Sequence, residues 1–187
     1  MERQNNTFLA RTGEKGDLNQ YWYSSRTIQK MADEVVASAT KAAFLSTPSV
    51  YFSLPKDSEV KKASWVFDLD EQWSKDPHYF KYDFNKPEAI PAELHGTFDC
   101  VVIDPPFITR GVWEKYAEAA KLLLVEGGKV IGTTVAENEA MLGDILPGMA
   151  ATAFKPSIPN LIYQYNLFTN FPPAVLCEKN PEIPEDD

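Results

Sequence analysis

Apolar residues along this 187-residue chain follow two different rhythms. From about Thr27 to Ala42, Ile28, Met31, Ala32, Val35, Val36 and Ala39 stand at offsets 0, 3, 4, 7, 8 and 11. That is one continuous stripe on a helix, with Ser24 or Ser25 as its N-cap. Beyond it the pattern changes to short apolar runs too brief for helices and rich in β-branched or aromatic residues. Ala43–Ser46, Ser64–Phe67, Tyr79–Tyr82, Phe98–Ile103 and Lys129–Thr134 read as five buried strands. Thr47-Pro48 looks like an N-cap and first helical position, opening a short helix over Ser49 to Leu54. Helices are also expected from about Arg110 to Leu124, stopped by Gly127-Gly128, and from Ala136 to Leu146.

Two more strands, near Ala151–Phe154 and Leu161–Thr169, have only a Pro-rich turn between them (Lys155-Pro156-Ser157-Ile158-Pro159). Strands alternating with helices predict an α/β fold with a doubly wound, mostly parallel sheet of seven strands. The last pair predicts an antiparallel C-terminal hairpin at one edge. Residues 1–19 are polar and read as a flexible N-terminal arm, and residues 178–187 as an acidic, disordered tail. The domain itself then occupies residues 20–177.

Composition narrows the setting. The net charge is −9, from 18 bases and 27 acids. Residues 178–187 hold five acids and one base, so residues 1–177 carry 17 bases and 22 acids, a net −5. A body that stays acidic disfavours nucleic acid, whose binding depends on clustered Lys and Arg. Cys100 and Cys177 are far apart and form no CxxC pair, which predicts free thiols and no metal site. The first residues contain no apolar run of the kind a secretory signal needs. No apolar run approaches the roughly 20 residues of a membrane span. The expectation is a cytoplasmic protein, monomeric and without a membrane partner. His78 and His95 have no ligand-like spacing and read as surface residues, and Lys61-Lys62 as a solvated face.

Candidate chemistry sits at the strand ends. In an open parallel sheet, ligands bind beyond the carboxyl ends of the strands, where the strand order reverses. Four consecutive expected strands end in polar residues, at Ser46-Thr47, Asp68, Asp83 and Asp104. Asp68 follows Ser46 by 22 residues, close to the usual spacing of an acid that holds a ribose hydroxyl. Asp104-Pro105-Pro106-Phe107 is the most informative run. Two prolines impose an extended, stiff segment and contribute carbonyls without N–H groups. A carboxylate, a fixed carbonyl and an aromatic face suit an amine nitrogen.

Asp104-Pro105-Pro106-Phe107, placed after the fourth strand, resembles motif IV of class I, S-adenosylmethionine-dependent amino-methyltransferases. Gln20-Tyr21-Trp22-Tyr23-Ser24, Ser46-Thr47-Pro48-Ser49-Val50-Tyr51, Phe67-Asp68-Leu69-Asp70 and Tyr82-Asp83-Phe84-Asn85-Lys86-Pro87 resemble one family in particular. Phe154-Lys155-Pro156, Asn160-Leu161 and Asn170-Phe171 also fit. It is the family of small eukaryotic methyltransferases first labelled N6-adenine methyltransferases and now associated with lysine methylation of translation elongation factor 1A. The resemblance covers roughly residues 20–171. It implies a Rossmann-like methyltransferase sheet with S-adenosyl-L-methionine as cofactor. Ser46, Thr47, Pro48 and Ser49 would stand where most class I methyltransferases have a glycine-rich loop. Asp68 or Asp70 would bind the ribose, Asp83 and Phe84 would lie beside the adenine, and Trp22 and Tyr23 would form part of a lid. Asp104, Pro105, Pro106 and Phe107 would be catalytic, with Phe107, Asn160 and Tyr163 on the substrate side. Tyr163 departs from the family pattern, where Asn is expected.

The mechanism this implies is simple. Asp104 and the Pro105 carbonyl orient the nitrogen, Phe107 packs on it, and water accepts the proton. A basic protein substrate, elongation factor 1A by resemblance, is favoured over adenine. Between Asp104 and Cys177 there are five bases and seven acids, with no positive stripe to hold a backbone. A methyltransferase-fold binding protein without activity is the third reading.

Overall fold

The computed structural model describes residues 5–185. The strands are β1 (Ala42–Leu45), β2 (Trp65–Asp68), β3 (Tyr79–Lys81), β4 (Phe98–Ile103), β5 (Leu124–Val135), β6 (Ala150–Ala151) and β7 (Tyr165–Thr169). They form one sheet in the order β3-β2-β1-β4-β5-β7-β6. The first five are parallel. β7 runs antiparallel to β5, and β6 antiparallel to β7, so the expected C-terminal hairpin closes one edge. Strand order reverses between β1 and β4, which lie side by side.

The central strands read as unbroken apolar runs because both faces are covered. Ala43 and Leu45 of β1, Phe67 of β2, Phe98, Val101 and Ile103 of β4 and Val130 of β5 share one core with α5 (Arg110–Leu123) and α6 (Glu139–Ile145). Ala42, Phe44, Val66, Cys100, Val102 and Ile131 point to the other face, against α2 (Ser25–Ser38) and α3 (Pro48–Tyr51). The period of two along each strand therefore separates the two layers.

Several boundaries differ from the sequence pattern for local reasons. α2 ends at Ser38 rather than Ala42, because the Asp99 carboxylate accepts the Thr40 and Lys41 amides at 2.8 and 3.0 Å and draws them toward β4. Ser24 is the N-cap, accepting from the Thr27 amide. β5 begins at Leu124, five residues before the expected Lys129, and pairs with β4 through a register shift. β6 and β7 are shorter than expected, because residues 152–164 form an irregular loop. α4 (Glu59–Ala63), capped by Ser58, was not evident from periodicity. Between β2 and β4 there are only 3-10 turns, so the helical layers are thinner there.

Both terminal segments pack on the body, contrary to the expected arm and tail. α1 (Thr7–Arg11) buries Phe8 against Trp22, Phe52 and Trp73. At the other end Asn180 donates to the Lys155 carbonyl at 2.9 Å, and Ser24 to Glu182 at 2.7 Å. Residues 1–4 and 186–187 of those two segments lie outside the described residues. The connection from β7 into the tail is held by Glu34, which is fully buried on α2. Its carboxylate accepts the Ala174 amide at 2.9 Å and the Val175 amide at 3.1 Å. Sequence periodicity could not mark Glu34, since its partners are backbone groups 140 residues away.

Replacing Glu34 with Ala leaves two enclosed amides without an acceptor, at about 2–4 kcal/mol. The expected result is a melting temperature lower by roughly 4–12 °C, with faster amide hydrogen exchange at Ala174 and Val175.

Candidate active site

The carboxyl ends of β1 to β4 open into one cavity of about 650 Å³, within the usual range for small-molecule sites. Ser46 follows β1, Asp68 ends β2, Tyr82, Asp83 and Phe84 follow β3, and Asp104 to Thr109 follow β4. Residues 17–22 and the loop before β7 complete the wall. The four polar strand ends read from the sequence therefore meet in space.

Ser46 takes the left-handed conformation, with φ +59°, which costs about 1–2 kcal/mol in a residue with a Cβ. The turn out of β1 thus has the backbone that glycine adopts most easily, without a glycine. Its amide reaches the Phe67 carbonyl at 2.8 Å, and its hydroxyl lies 2.7 Å from the Tyr116 hydroxyl. Thr47, Pro48 and Ser49, expected with Ser46 at the cofactor, do not line the cavity. All three are buried. Thr47 donates to the Val102 carbonyl, and the Ser49 carbonyl accepts from Ser53.

Asp68 and Asp70, the two acids expected at the ribose, stand in different surroundings. Asp68 lines the cavity. Desolvation pushes its carboxyl up to about 7, although the Asp70 amide donates to it at 2.9 Å. Asp70 faces the N-terminal segment and accepts from Lys15 at 3.0 Å, Gln20 at 2.9 Å and Gln72 at 2.6 Å. These bonds hold its carboxyl below the ordinary range despite desolvation. Asp70 is an anchor for residues 15–20.

Asp104 stands at the floor, just past β4. Burial pushes its carboxyl up to about 7, opposed by hydrogen bonds from Tyr23 and Thr133. The hydroxyls of Tyr23 and Thr133 lie 2.6 Å apart, so the acid is held by a small polar cluster within the apolar core. Tyr23, expected in the lid, is buried and does not line the cavity. Trp22 does line the cavity, and its indole N–H donates to the Thr12 carbonyl at 3.2 Å. The Pro105-Pro106 carbonyls have no neighbouring proline N–H to engage, and Asn19 supplies a donor to the Pro106 carbonyl. Asn138 secures the next turn through the Ile108 carbonyl and Thr134, each at 2.9 Å.

Phe107 is 53% exposed at the opening rather than packed over Asp104, and Tyr163 is 67% exposed on the opposite loop. Asn160 does not reach the cavity; it is exposed and donates to Glu14. His78 is not free on the surface, since it stacks on Trp65 at 4.7 Å. Lys61, expected on a solvated face, lies 3.9 Å over the Tyr51 ring. Sequence reasoning missed Thr133, Tyr116, Tyr82 and Asn19. Thr133 was legible only as a polar residue ending an apolar strand.

The cavity suits an organic ligand with hydroxyls and a flat ring. Tyr82 is a buried hydroxyl at its wall with no protein partner. Phe84 and Tyr82 pack on Tyr116 and form an aromatic side. Among the described residues four carboxylates, Asp17, Asp68, Asp83 and Asp104, line it, and no Lys, Arg or His does so.

Comparison with known proteins agrees with this geometry. The family model described as "Probable N6-adenine methyltransferase" matches residues 14–173. A Gallus gallus protein named EEF1A lysine methyltransferase 1 is 30% identical over 84% of this chain and 76% of its own. Its Homo sapiens namesake is 27% identical over 88% and 78%. Protein-lysine N-methyltransferase EFM5 of Saccharomyces cerevisiae is 27% identical over 84% and 72%. Among solved structures, the N-methyltransferase NodS from Bradyrhizobium japonicum in complex with S-adenosyl-L-homocysteine has a TM-score of 0.51. It is 11% identical and covers 77% of this chain and 84% of its own. A spermidine synthase has the same TM-score at 11% identity, over 79% and 62%. At that identity the likeness is one of fold. No helix among the described residues is long and apolar enough to cross a membrane.

The raised acids make stability depend on pH. Asp68 titrates near 7 when folded and near 3.9 when unfolded, so protonation favours the folded state. The contribution is fully present below the unfolded value and is lost as pH rises through 7. Between pH 5.5 and 8 it amounts to about 2 kcal/mol. The ligand-free protein is expected to melt roughly 4–8 °C higher at pH 5.5 than at pH 8. Thermal scans of Asp68→Asn should lose this share of the dependence and keep the share that Asp104, raised to about 7 by the same cause, contributes.

Proposed function

This chain belongs to the N6-adenine methyltransferase-like family, and we propose that it is an S-adenosylmethionine-dependent protein-lysine N-methyltransferase acting on translation elongation factor 1A in the cytoplasm. The observation that carries the reading is Asp104-Pro105-Pro106 in a cavity lined, among the described residues, by four carboxylates and no base. The relatives named as lysine methyltransferases support the same substrate class.

The residues present fit the cofactor. Asp68 is a desolvated acceptor at the end of β2, suited to ribose hydroxyls. Asp83, Phe84 and the unpartnered Tyr82 hydroxyl offer a flat polar-aromatic seat for a base. Ser46 and its backbone stand where the methionine portion would enter. When bound, S-adenosylmethionine supplies an electrophilic methyl group.

The protein's share of the work is positioning and handling a proton. Asp104 and the Pro105 carbonyl each accept one N–H of the incoming amine, fixing its lone pair. Asn19 occupies the Pro106 carbonyl, which keeps that peptide turned away from the nitrogen. Tyr23 and Thr133 hold the Asp104 carboxylate in place. A free lysine has a pKa of about 10.4 and enters as an ammonium. The lining carboxylates favour that charged form, so its proton has to leave before the lone pair can attack. With its carboxyl near 7, Asp104 can take the proton and pass it to water. Phe107, at the opening, covers the aliphatic stem.

Labelled S-adenosylmethionine, supplied with elongation factor 1A or with single-stranded oligonucleotides, tests the reading. Label is expected on lysine, and label in nucleic acid alone would overturn it. Asp104→Ala is expected to lower kcat by at least a hundredfold while cofactor affinity, measured by calorimetry, changes less than threefold. Retained turnover would remove Asp104 from its role.

A further inference from the structure

Seven large apolar side chains are exposed among the described residues: Tyr21, Val36, Leu69, Phe107, Val125, Ile162 and Tyr163. Tyr21, Leu69, Phe107 and Tyr163 line the cavity, so their exposure places them at its opening. Ile162, 94% exposed, lies between Leu161 and Tyr163, both of which line the cavity. Five of the seven thus gather around one mouth.

They come from four separate segments: the N-terminal stretch, the end of β2, the end of β4 and the loop before β7. The composition of a single loop cannot account for that convergence. Exposed apolar side chains gathered around the mouth of a polar cavity are costly to leave in water and mark an interaction site. Leu69 belongs to the β2 side of the strand-order reversal and Tyr163 to the β7 side, so the collar stands on both sides of the entrance.

We propose that this collar is a docking surface for bulky apolar residues on either side of the target lysine, so that the substrate segment is a lysine bracketed by large aliphatic or aromatic side chains. This rests on the lysine-methyltransferase reading and specifies what that site recognises. Charge and shape divide the task. The four carboxylates that line the cavity attract the ammonium, and no base among the described lining residues repels it. An ammonium on a four-carbon stem can reach the floor only if its backbone stops at the mouth. The neighbouring side chains then meet Phe107 and Tyr163 on one side and Tyr21 and Leu69 on the other. Burying both partners' apolar surface releases water and supplies binding without further charges. Basic flanking residues are not needed.

The test uses the full chain with labelled S-adenosylmethionine and elongation factor 1A. The variant I162S changes one side chain that is 94% exposed and does not line the cavity, so its fold and cofactor affinity, checked by melting and calorimetry, are expected to match the parent. KM for the protein substrate should rise about tenfold with kcat unchanged. In competition, a capped Leu-Leu-Lys-Leu-Leu peptide should inhibit labelling at a concentration at least tenfold lower than Ser-Ser-Lys-Ser-Ser. An unchanged KM, or equal or absent competition by the two peptides, would overturn the docking role. Failure of the parent enzyme to label any protein lysine would instead overturn the lysine reading beneath it.

Discussion

Parallel strands covered on both faces leave a polar chain little choice about where to put its charge. β1 and β4 lie side by side with every residue from Ala42 to Leu45 fully enclosed. Polar groups are excluded from the strands themselves and gather at the carboxyl ends. There the strand order reverses, and the neighbouring connections leave to opposite sides. The cavity, its carboxylates and the stiff Asp104-Pro105-Pro106 turn all follow from that geometry. Asp68 and Asp104 are drawn partly out of water by the same packing, which is why both titrate near 7.

A second dependence runs through the segments outside the sheet. Prolines at 105 and 106 leave their loop short of N–H groups, so the loop must be satisfied from elsewhere. Asn19 provides one donor, and its own segment is fixed through Lys15 and Gln20 to Asp70. The wall of the cavity is therefore partly made of residues whose composition suggested a loose arm. At the far end Glu34 and Ser24, both on or beside α2, hold the C-terminal segment. One helix thus caps the sheet and organises the chain's return.

The collar and the acidic floor separate two kinds of recognition within a single opening. Carboxylates act over distance and favour any ammonium, whereas apolar contact depends on which side chains stand beside it. Ile162 and Tyr163 sit on a loop with no place in the core, so their identity can follow recognition without disturbing core packing.

The order of elements, the parallel sheet with its antiparallel closing hairpin, and the four polar strand ends were legible from periodicity and spacing. Alternation and apolar length are local properties, and burial on both faces imposes them strand by strand. The Asp-Pro-Pro-Phe run was equally legible, because proline restricts its own backbone whatever surrounds it. Other features required the folded chain. That Asp68 rather than Asp70 faces the cavity depends on Lys15 and Gln20 arriving from 55 and 50 residues away. The burial of Thr47, Pro48 and Ser49, the Tyr23–Thr133 support of Asp104 and the grasp of Glu34 on the C-terminal segment are likewise long-range pairings. The sequence by itself determined which residues could carry charge at the end of a strand. Which of them stand free in the cavity was decided by tertiary structure, since desolvation and hydrogen-bond satisfaction belong to the assembled neighbours and not to the residue.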